Sequence, residues 1–419
     1  LTTNGSGTLS WSTVAGGVSS DAQDNTVGGT NAGDSFTGTD ATENTLFGKN
    51  AGTAITSGDA NVCIGSEAGK SLTTGSASVA IGAHSLKDCT TATKNIALGY
   101  YSQENVTGTN NTCLGQNTAQ NASNSGFTRN IAIGVNAMQE ANAAVSYNIC
   151  IGDLAGRYVT GGTRNIYIGK SVASGTYANS TYYTNTGSYN VVMGTQNHNG
   201  AGLANVSGDY NTSLGNNAGY HHTSASENTC VGSFAGYDVT SGSNNLLLGN
   251  DAGRSNSPSG SITTQGNRAC LGNDNIGNLY CAVSTINTSD KRDKTDITNF
   301  THGLSWVNKL NPVSYRWDRR SWYNEYNEDG SLKTEVTPDG SKKRAGQHIG
   351  FLAQDVLAIE QADGYASKKD DMIVSNLNED DTAYGLKYTS FIPVLVNAIK
   401  ELSTEVNTLK TKVAALEAA

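Results

Sequence analysis

The stretch "NIALGYYSQENVTGTNNTCLG" (residues 95–115) contains one short phrase twice, as "NIALG" at 95–99 and as "NTCLG" at 111–115. Similar phrases recur from residue 25 to residue 272, and each copy closes on a glycine. The commonest spacing between closing glycines is 17 residues, with a few longer insertions. Repeats of this length predict a parallel β-solenoid or β-roll, in which each turn stacks on the next. The closing glycines are Gly29, Gly48, Gly65, Gly82, Gly99, Gly115, Gly134, Gly152, Gly169, Gly194, Gly215, Gly232, Gly249 and Gly272.

The repeat unit has the pattern of a short strand followed by a bend. Its second and fourth positions are apolar, as in Ile96 and Leu98 or Ile131 and Ile133, which is the alternation of a strand with that face inward. The closing glycine permits a bend or a close backbone approach. In seven copies an Ala-Gly pair follows four residues later and suggests a second corner. The asparagine that opens most copies is expected to stack into a hydrogen-bonded ladder.

Cysteines follow the repeat, and two interpretations of them remain open. Five of the seven occupy the third position of the unit, where other copies carry alanine, serine or a larger apolar residue. They are either small packing residues with free thiols in a reducing compartment, or a ladder of disulfides or metal ligands. Neighbouring turns rarely both carry cysteine, which favours packing. The five are Cys63, Cys113, Cys150, Cys230 and Cys270.

Composition excludes several classes of protein. The chain has 419 residues and a formal net charge of −9, and it lacks the basic face that a nucleic-acid-binding domain needs. No segment approaches the ~18 consecutive apolar residues of a membrane span. No pattern predicts a cofactor or a metal. Because the chain opens at Leu1 without a signal peptide, we expect a processed product or a fragment of a longer chain.

Charge divides the chain near Ser289. Only 26 of the first 288 residues are charged, compared with 37 of the last 131. This contrast predicts two chemically different regions and, with the repeat and the final helix, four segments. They are an N-terminal connector (1–24), a glycine-rich β-solenoid rod (25–288), a small α+β domain (289–390) and a C-terminal helix (391–419).

The C-terminal helix carries an unbroken heptad pattern of apolar residues, which predicts a coiled coil. Isoleucine or valine at one core position and leucine at the other by themselves favour two strands. The core residues are Ile392, Leu395, Ile399, Leu402, Val406, Leu409, Val413 and Leu416.

The longest insertion in the rod, between Gly169 and Gly194, is rich in tyrosine and small polar residues. Exposed tyrosine rings can stack on a sugar while hydroxyls and amides meet its polar groups, so a glycan contact is one interpretation. The alternative is a loop packed on the rod or on a neighbouring chain. The candidate residues are Tyr177, Tyr182, Tyr183 and Tyr189.

Other polar residues of the rod give weaker signals. His221 and His222 have only Glu227 as a nearby further ligand, so we interpret them as solvated loop residues rather than a metal site. Glycan hydrolysis needs two carboxylates at a defined separation. The few acids of the rod, such as Asp153, Asp209, Glu227 and Asp251, cannot be paired from sequence, so a hydrolase is unsupported.

The C-terminal region resembles a known family. "SDKRDK" (289–294), "HIGFLAQDV" (348–356) and the final helix occur in the order found in the intramolecular chaperone domain of phage endosialidases and of other tail spikes and fibres. The upstream repeats resemble, more loosely, the "SVAIG" rolls of trimeric adhesin heads. The resemblance implies a domain that trimerises, assists folding of the β-structured part before it, and then cuts itself off.

The same resemblance assigns roles to residues. It implies that the Thr288–Ser289 bond is cut, with Ser289 as nucleophile and Lys294 as general base. Asp290 and Arg292 match further motif positions, and two residues of the second block, His348 and Gln354, are expected to support the site. A serine hydroxyl needs such a base, and lysine can serve only when neutral, which requires burial or nearby cations such as Lys291 and Arg292.

These expectations combine into a homotrimeric phage tail fibre or tail spike, made in the host cytoplasm and located in the virion. Three chains follow from the family resemblance, in conflict with the two favoured by the heptad pattern. The expected partners are further copies of the chain, an upstream tail protein and a host-surface glycan or other receptor. Alternatives are a polysaccharide depolymerase spike and a bacterial surface adhesin or structural fibre. The lack of a basic domain and of a membrane span disfavours a host transcription factor of the self-cleaving type.

Overall fold

The computed structural model of the chain contains two compact units. One comprises Leu1–Arg254 with Ile262–Gly272, and the other comprises Ser255–Ser261 with Asn273–Ala419. The residues that the structure describes are 2–3, 9–10, 18–37, 39–122, 126–141, 145–174, 176–178, 181–183, 185–194, 207–280, 287–326, 332–334 and 337–418.

The N-terminal unit is a β-solenoid, as the repeat predicts. Its main sheet has 15 described strands, and all but the first run parallel, in sequence order and in register with the strand of the next turn. The strands of this sheet are β3 (Ser19–Ser20), β4 (Thr26–Gly28), β5 (Thr45–Phe47), β6 (Val62–Ile64), β7 (Val79–Ile81), β8 (Ile96–Leu98), β9 (Thr112–Leu114), β10 (Ile131–Ile133), β11 (Ile149–Ile151), β12 (Ile166–Ile168), β15 (Val191–Met193), β16 (Thr212–Leu214), β17 (Thr229–Val231), β18 (Leu246–Leu248) and β19 (Ala269–Leu271).

Two antiparallel pairs lie outside this sheet in the same unit. They are β1 (Thr2–Thr3) with β2 (Leu9–Ser10), and β13 (Thr176–Ala178) with β14 (Thr181–Tyr183). The second pair is a hairpin within the tyrosine-rich insertion.

The buried face of the solenoid strands corrects the sequence prediction. The third position of the repeat faces the core, as at Ala97 and Ala132, which are fully buried, whereas Ile96 and Ile131 are 40% and 37% exposed. The alternation itself is right, but the large branched residues lie on the outer face. The side chains at the third position fill the interior of each turn, and they range in size from Ala97 to Leu46 and Tyr167, which are also buried.

The asparagine ladder is confirmed and connects successive turns inside the solenoid. Asn130 is an example: its Oδ1 accepts the backbone N–H of Asn148 at 3.0 Å and its Nδ2 donates to the carbonyl of Val145 at 3.0 Å. The same contacts recur along most of the rod, and Ser78 takes the place of one asparagine. Because these amides are buried, each depends on the turns on both sides for its hydrogen bonds.

Six cysteines are free and buried in the solenoid. Burial raises the pKa of the Cys63, Cys113 and Cys230 thiols to about 12, which suppresses the reactive thiolate. Five of the six are the third-position residues of the repeat, so they act as small packing residues. The seventh cysteine, Cys281, lies outside the described residues.

This burial predicts the reactivity of the thiols. Folded protein treated with iodoacetamide is expected to gain at most one adduct per chain, at Cys281, whereas denatured protein should gain one at each of its seven cysteines. Intact mass before and after denaturation counts the adducts. Two or more adducts on folded protein would contradict the packing of these side chains.

The C-terminal unit is a small α+β structure. Its strands form three antiparallel pairs: β20 (Val313–Tyr315) with β23 (His348–Gly350), β21 (Glu325–Tyr326) with β22 (Leu332–Thr334), and β24 (Ser375–Leu377) with β25 (Tyr384–Leu386). Its helices are α1 (Leu304–Val307), α2 (Ala353–Ala362) and α3 (Phe391–Glu417).

Two buried groups hold the helices and strands of this unit together. Trp306 of α1 is 1% exposed and packs with apolar residues of α2 and α3. Glu360 of α2 is fully buried, and its carboxylate accepts the backbone N–H groups of Val374 at 2.6 Å and Ser375 at 3.0 Å. A buried carboxylate requires such donors, so Glu360 fixes β24 against α2.

Helix α3 has one packed and one open face. Phe391, Val394 and Ala398 are buried, and Asn397 donates to the carbonyl of Phe300 at 2.7 Å. The heptad residues from Ile392 to Leu416 are instead 45–78% exposed. In the part of the chain that the structure describes, no helix is both long and apolar enough to cross a membrane.

Candidate functional site

A short turn at residues 289–294 positions the residues of the "SDKRDK" motif. Asp290 precedes a single 3-10 turn at Lys291–Asp293, and its Oδ1 accepts the backbone N–H of Arg292 at 2.9 Å. The backbone N–H of Lys294 then donates to the carbonyl of Lys291 at 3.3 Å and closes the turn. An aspartate suits this position because its short side chain satisfies a free N–H at the start of a turn.

Asp290 and Arg292 also form an exposed ion pair. The guanidinium of Arg292 donates from Nη2 to Oδ2 of Asp290 at 2.7 Å and from Nε to Oδ1 at 3.1 Å. Hydrogen bonds from Arg292 hold the pKa of Asp290 below its usual range, and the hydrogen bond to Asp290 raises the pKa of Arg292. The arginine charge is therefore engaged by Asp290, so these two motif residues shape the turn.

The turn brings Ser289 and Lys294 together. Nζ of Lys294 lies 2.6 Å from Oγ of Ser289 and donates a hydrogen bond to it. Both residues are exposed. A lysine amine at this distance from a serine hydroxyl has the geometry for proton transfer between the two atoms.

The other residues that the resemblance implicates are Thr288, His348 and Gln354. Thr288 is exposed beside Ser289. His348 is exposed on β23, where its ring stacks on Tyr315 with centroids 5.6 Å apart, and Gln354 is exposed in the first turn of α2. Among the described residues, neither His348 nor Gln354 hydrogen-bonds to Ser289 or Lys294.

Tyr189 belongs to an exposed column of side chains on the solenoid, here named the arginine–tyrosine column. Arg164 lies between two rings, with its guanidinium carbon 5.2 Å from the Tyr147 centroid and 5.4 Å from the Tyr189 centroid. The Tyr189 ring stacks on that of Tyr210 at 4.9 Å, and Arg129 lies over the other side of Tyr147 at 5.3 Å.

Of this column, only Tyr189 is among the candidate residues predicted from the sequence. The signal for the other members is the residue before each ladder asparagine, which reads "TRN" (128–130), "SYN" (146–148), "TRN" (163–165), "SYN" (188–190) and "DYN" (209–211). Extending the alignment of the repeats by one residue, to the position before the asparagine, reveals arginine or tyrosine in five successive copies. The side chains of Tyr177, Tyr182 and Tyr183, on β13 and β14, lie outside the described residues.

The histidines and acids of the rod have structural roles. His222 is 2% exposed, with Nε2 4.0 Å from Sγ of Cys230, so the expectation of two solvated histidines is wrong for this residue. Asp209 accepts the backbone N–H of Ser188 at 2.7 Å, and Asp251 pairs with Arg254 at 2.9 Å. In the described parts of the chain, no group of three or more histidine, cysteine or acidic side chains could hold a metal ion.

Comparison with known proteins supports the resemblance. Residues 289–365 match the family described as chaperone of endosialidase, and this segment contains the Ser289–Lys294 pair, His348 and Gln354. No curated protein and no solved structure matches the chain. Residues 289–365 therefore form a domain of the endosialidase chaperone family, and the β-solenoid before it in sequence fits a tail fibre with a C-terminal chaperone domain.

Proposed function

We propose that this chain is a homotrimeric tail-fibre or tail-spike segment whose C-terminal domain assists assembly and then cuts the Thr288–Ser289 bond. The 2.6 Å contact between Nζ of Lys294 and Oγ of Ser289 carries the cleavage part of the proposal. Intact mass of the purified chain, with variants at these two residues, tests it. The rod that remains would serve in attachment to the host surface.

The cleavage chemistry follows from this geometry. Neutral Lys294 takes the hydroxyl proton of Ser289 while Oγ attacks the carbonyl carbon of Thr288, and the proton passes to the departing backbone nitrogen of Ser289. Water then hydrolyses the resulting ester and regenerates the serine hydroxyl. Because both side chains are exposed in a single chain, we propose that assembly supplies the burial that favours a neutral amine, so that cleavage follows assembly.

Two exposed apolar surfaces in the described part of the chain support association between copies of the chain. The outward positions of the solenoid strands leave large apolar side chains 36–46% exposed at Ile64, Ile96, Ile131, Ile133, Met193, Leu246 and Leu271. The heptad face of α3 is exposed along its whole length. Contiguous apolar surfaces of this extent mark interaction sites.

Charges placed in the heptad face are expected to abolish association. In a Ser289→Ala background, which keeps the chain full length, Leu402→Asp with Leu409→Asp should convert a species of three times 43.6 kDa into one of 43.6 kDa. Burying carboxylates in a coiled-coil core opposes assembly by several kcal/mol. Sedimentation equilibrium or native mass spectrometry measures the change.

The opposite face of α3 provides the matched control. Thr404→Asp with Thr411→Asp adds the same charge at exposed positions outside the heptad face and should leave the association state unchanged. A monomeric or dimeric Ser289→Ala chain contradicts trimerisation. Equal mass for the two double variants contradicts the role of the heptad face.

A further inference from the structure

We propose that the arginine–tyrosine column, formed by Arg129, Tyr147, Arg164, Tyr189 and Tyr210, is a binding platform for an acidic polysaccharide. This inference rests on the proposed role in host attachment and names the surface and the ligand class. It places the contact on the regular turns of the solenoid rather than on the inserted hairpin.

The column is continuous because the solenoid backbone holds each member on its own turn. Tyr147, Arg164, Tyr189 and Tyr210 each donate their backbone N–H to a carbonyl of the preceding turn at 3.0–3.1 Å. At the strand spacing of ~4.8 Å, five such rungs extend over roughly 19 Å. The side chains therefore form a straight row whose spacing the backbone sets.

Large aromatic surface remains open along this row. Tyr147, Tyr189 and Tyr210 are 46%, 43% and 58% exposed, although each ring also stacks on a neighbour. Tyrosine presents an apolar ring face together with a hydroxyl, which suits the mixed apolar and polar surface of a pyranose. Stacking within the column keeps the rings ordered, so binding a ligand costs little side-chain entropy.

The two arginines supply a charge that the protein leaves uncompensated. Among the described residues, the guanidinium of Arg129 has no hydrogen-bond or ion-pair partner, and that of Arg164 donates one hydrogen bond, from Nη1 to the Tyr189 hydroxyl at 3.1 Å. A guanidinium has five N–H donors in a plane that matches a carboxylate. In an acidic protein with a net charge of −9, two exposed arginines on either side of the Tyr147 ring, neither paired with a carboxylate among the described residues, indicate an anionic ligand.

The spacing of the charges favours a sugar chain over a nucleic acid. Arg129 and Arg164 are two rungs apart, or about 9.6 Å. A single nucleic-acid strand carries a phosphate about every 3.4 Å, so it would place about two phosphates over the uncharged Tyr147 between them. An acidic polysaccharide with one carboxylate on each sugar places fewer charges along the same length. Glu227 occupies the rung after Tyr210, which ends the platform for an anion.

The test uses the full-length protein with polygalacturonate as the acidic probe and dextran as the neutral one. Wild-type protein is expected to bind polygalacturonate in about 50 mM NaCl, more weakly in about 0.5 M NaCl, and not to bind dextran. Arg129→Gln with Arg164→Gln should lower the affinity for polygalacturonate by about tenfold or more. Biolayer interferometry measures these affinities.

Two further variants separate the column from general charge and folding effects. Lys49→Gln removes an exposed cation elsewhere on the solenoid and should leave binding unchanged. Arg164→Lys keeps the charge but not the planar donor pair, and should bind with an intermediate affinity. Equal binding by the double glutamine variant, equal binding of dextran, or no binding of polygalacturonate by wild type would each overturn the proposal.

The same preparations distinguish this failure from failure of the proposed function. If wild type trimerises and cuts before Ser289 yet does not bind polygalacturonate, only the ligand assignment is wrong. If it neither trimerises nor cuts, the proposed function is wrong whatever the column binds.

Discussion

Ser289→Ala is expected to leave the chain at its full mass of 43.6 kDa, whereas the wild-type chain separates before Ser289. The substitution removes the oxygen that lies 2.6 Å from Nζ of Lys294, and no other atom of the residue can attack the Thr288 carbonyl. Loss of the nucleophile from a serine–base pair lowers the rate by ~10³-fold or more. Intact mass spectrometry under denaturing conditions measures the cut fraction against time.

Lysine variants test the partner of Ser289. Lys294→Met should abolish cleavage to a similar extent, because it keeps the length of the side chain and removes the base. Lys343→Met is the control, since Lys343 is an exposed lysine of the same family segment and makes no contact with Ser289 among the described residues. Normal cleavage by Lys294→Met, or an uncut wild-type chain, would show that the pair does not act in this way.

Gly134→Ala is expected to destabilise the solenoid by about 3 kcal/mol or more. Gly134 closes its repeat with φ 129°, a conformation that other residues rarely adopt. A Cβ added there would lie 2.5 Å from the carbonyl oxygen of Gly152 in the next turn. The backbone of Gly134 and the carbonyl of Gly152 both belong to the hydrogen-bonded sheet, so neither can move without breaking hydrogen bonds between turns. The midpoint of thermal or denaturant unfolding measures the loss.

A second glycine of the same rod isolates this effect. Gly161 does not have a positive φ, and a Cβ there would make its closest contact with the Thr186 side chain at 3.6 Å, an ordinary van der Waals distance. Gly161→Ala should therefore shift the unfolding midpoint little, and a smaller entropy of the unfolded chain favours it slightly. Equal stability of the two variants would show that the closing glycine of a repeat can be replaced by a residue with a side chain.

Local patterns in the sequence were sufficient for the architecture. A recurring unit of about 17 residues can bury its apolar surface only by stacking, so the period alone predicts a solenoid. The asparagine ladder can be predicted for the same reason, since asparagines at the same position of successive turns lie close enough to hydrogen-bond to one another. The heptad pattern of α3 and the motif that begins at Ser289 are likewise contiguous or nearly so. Each of these features depends on residues close in sequence or on strict repetition.

The inward face of the strands could not be obtained in the same way. A period of two divides a strand into two faces but does not say which is buried. The more hydrophobic face, with Ile96 and Ile131, is the outer one in the folded chain. Only the three-dimensional turn shows that the third position lies in the interior, where Ala97 and Tyr167 are both buried.

The Ser289–Lys294 pair could be predicted from local sequence, whereas the arginine–tyrosine column could not. Ser289 and Lys294 are close because Asp290 organises a five-residue turn, so a local motif was enough to pair them. Arg129 and Tyr210 are 81 positions apart in sequence, yet they belong to one row. Stacking of turns converts one position per repeat into neighbours about 4.8 Å apart, and insertions of different length hide that alignment in the sequence. The site therefore arises from the parallel register of the strands, which exists only in the folded chain.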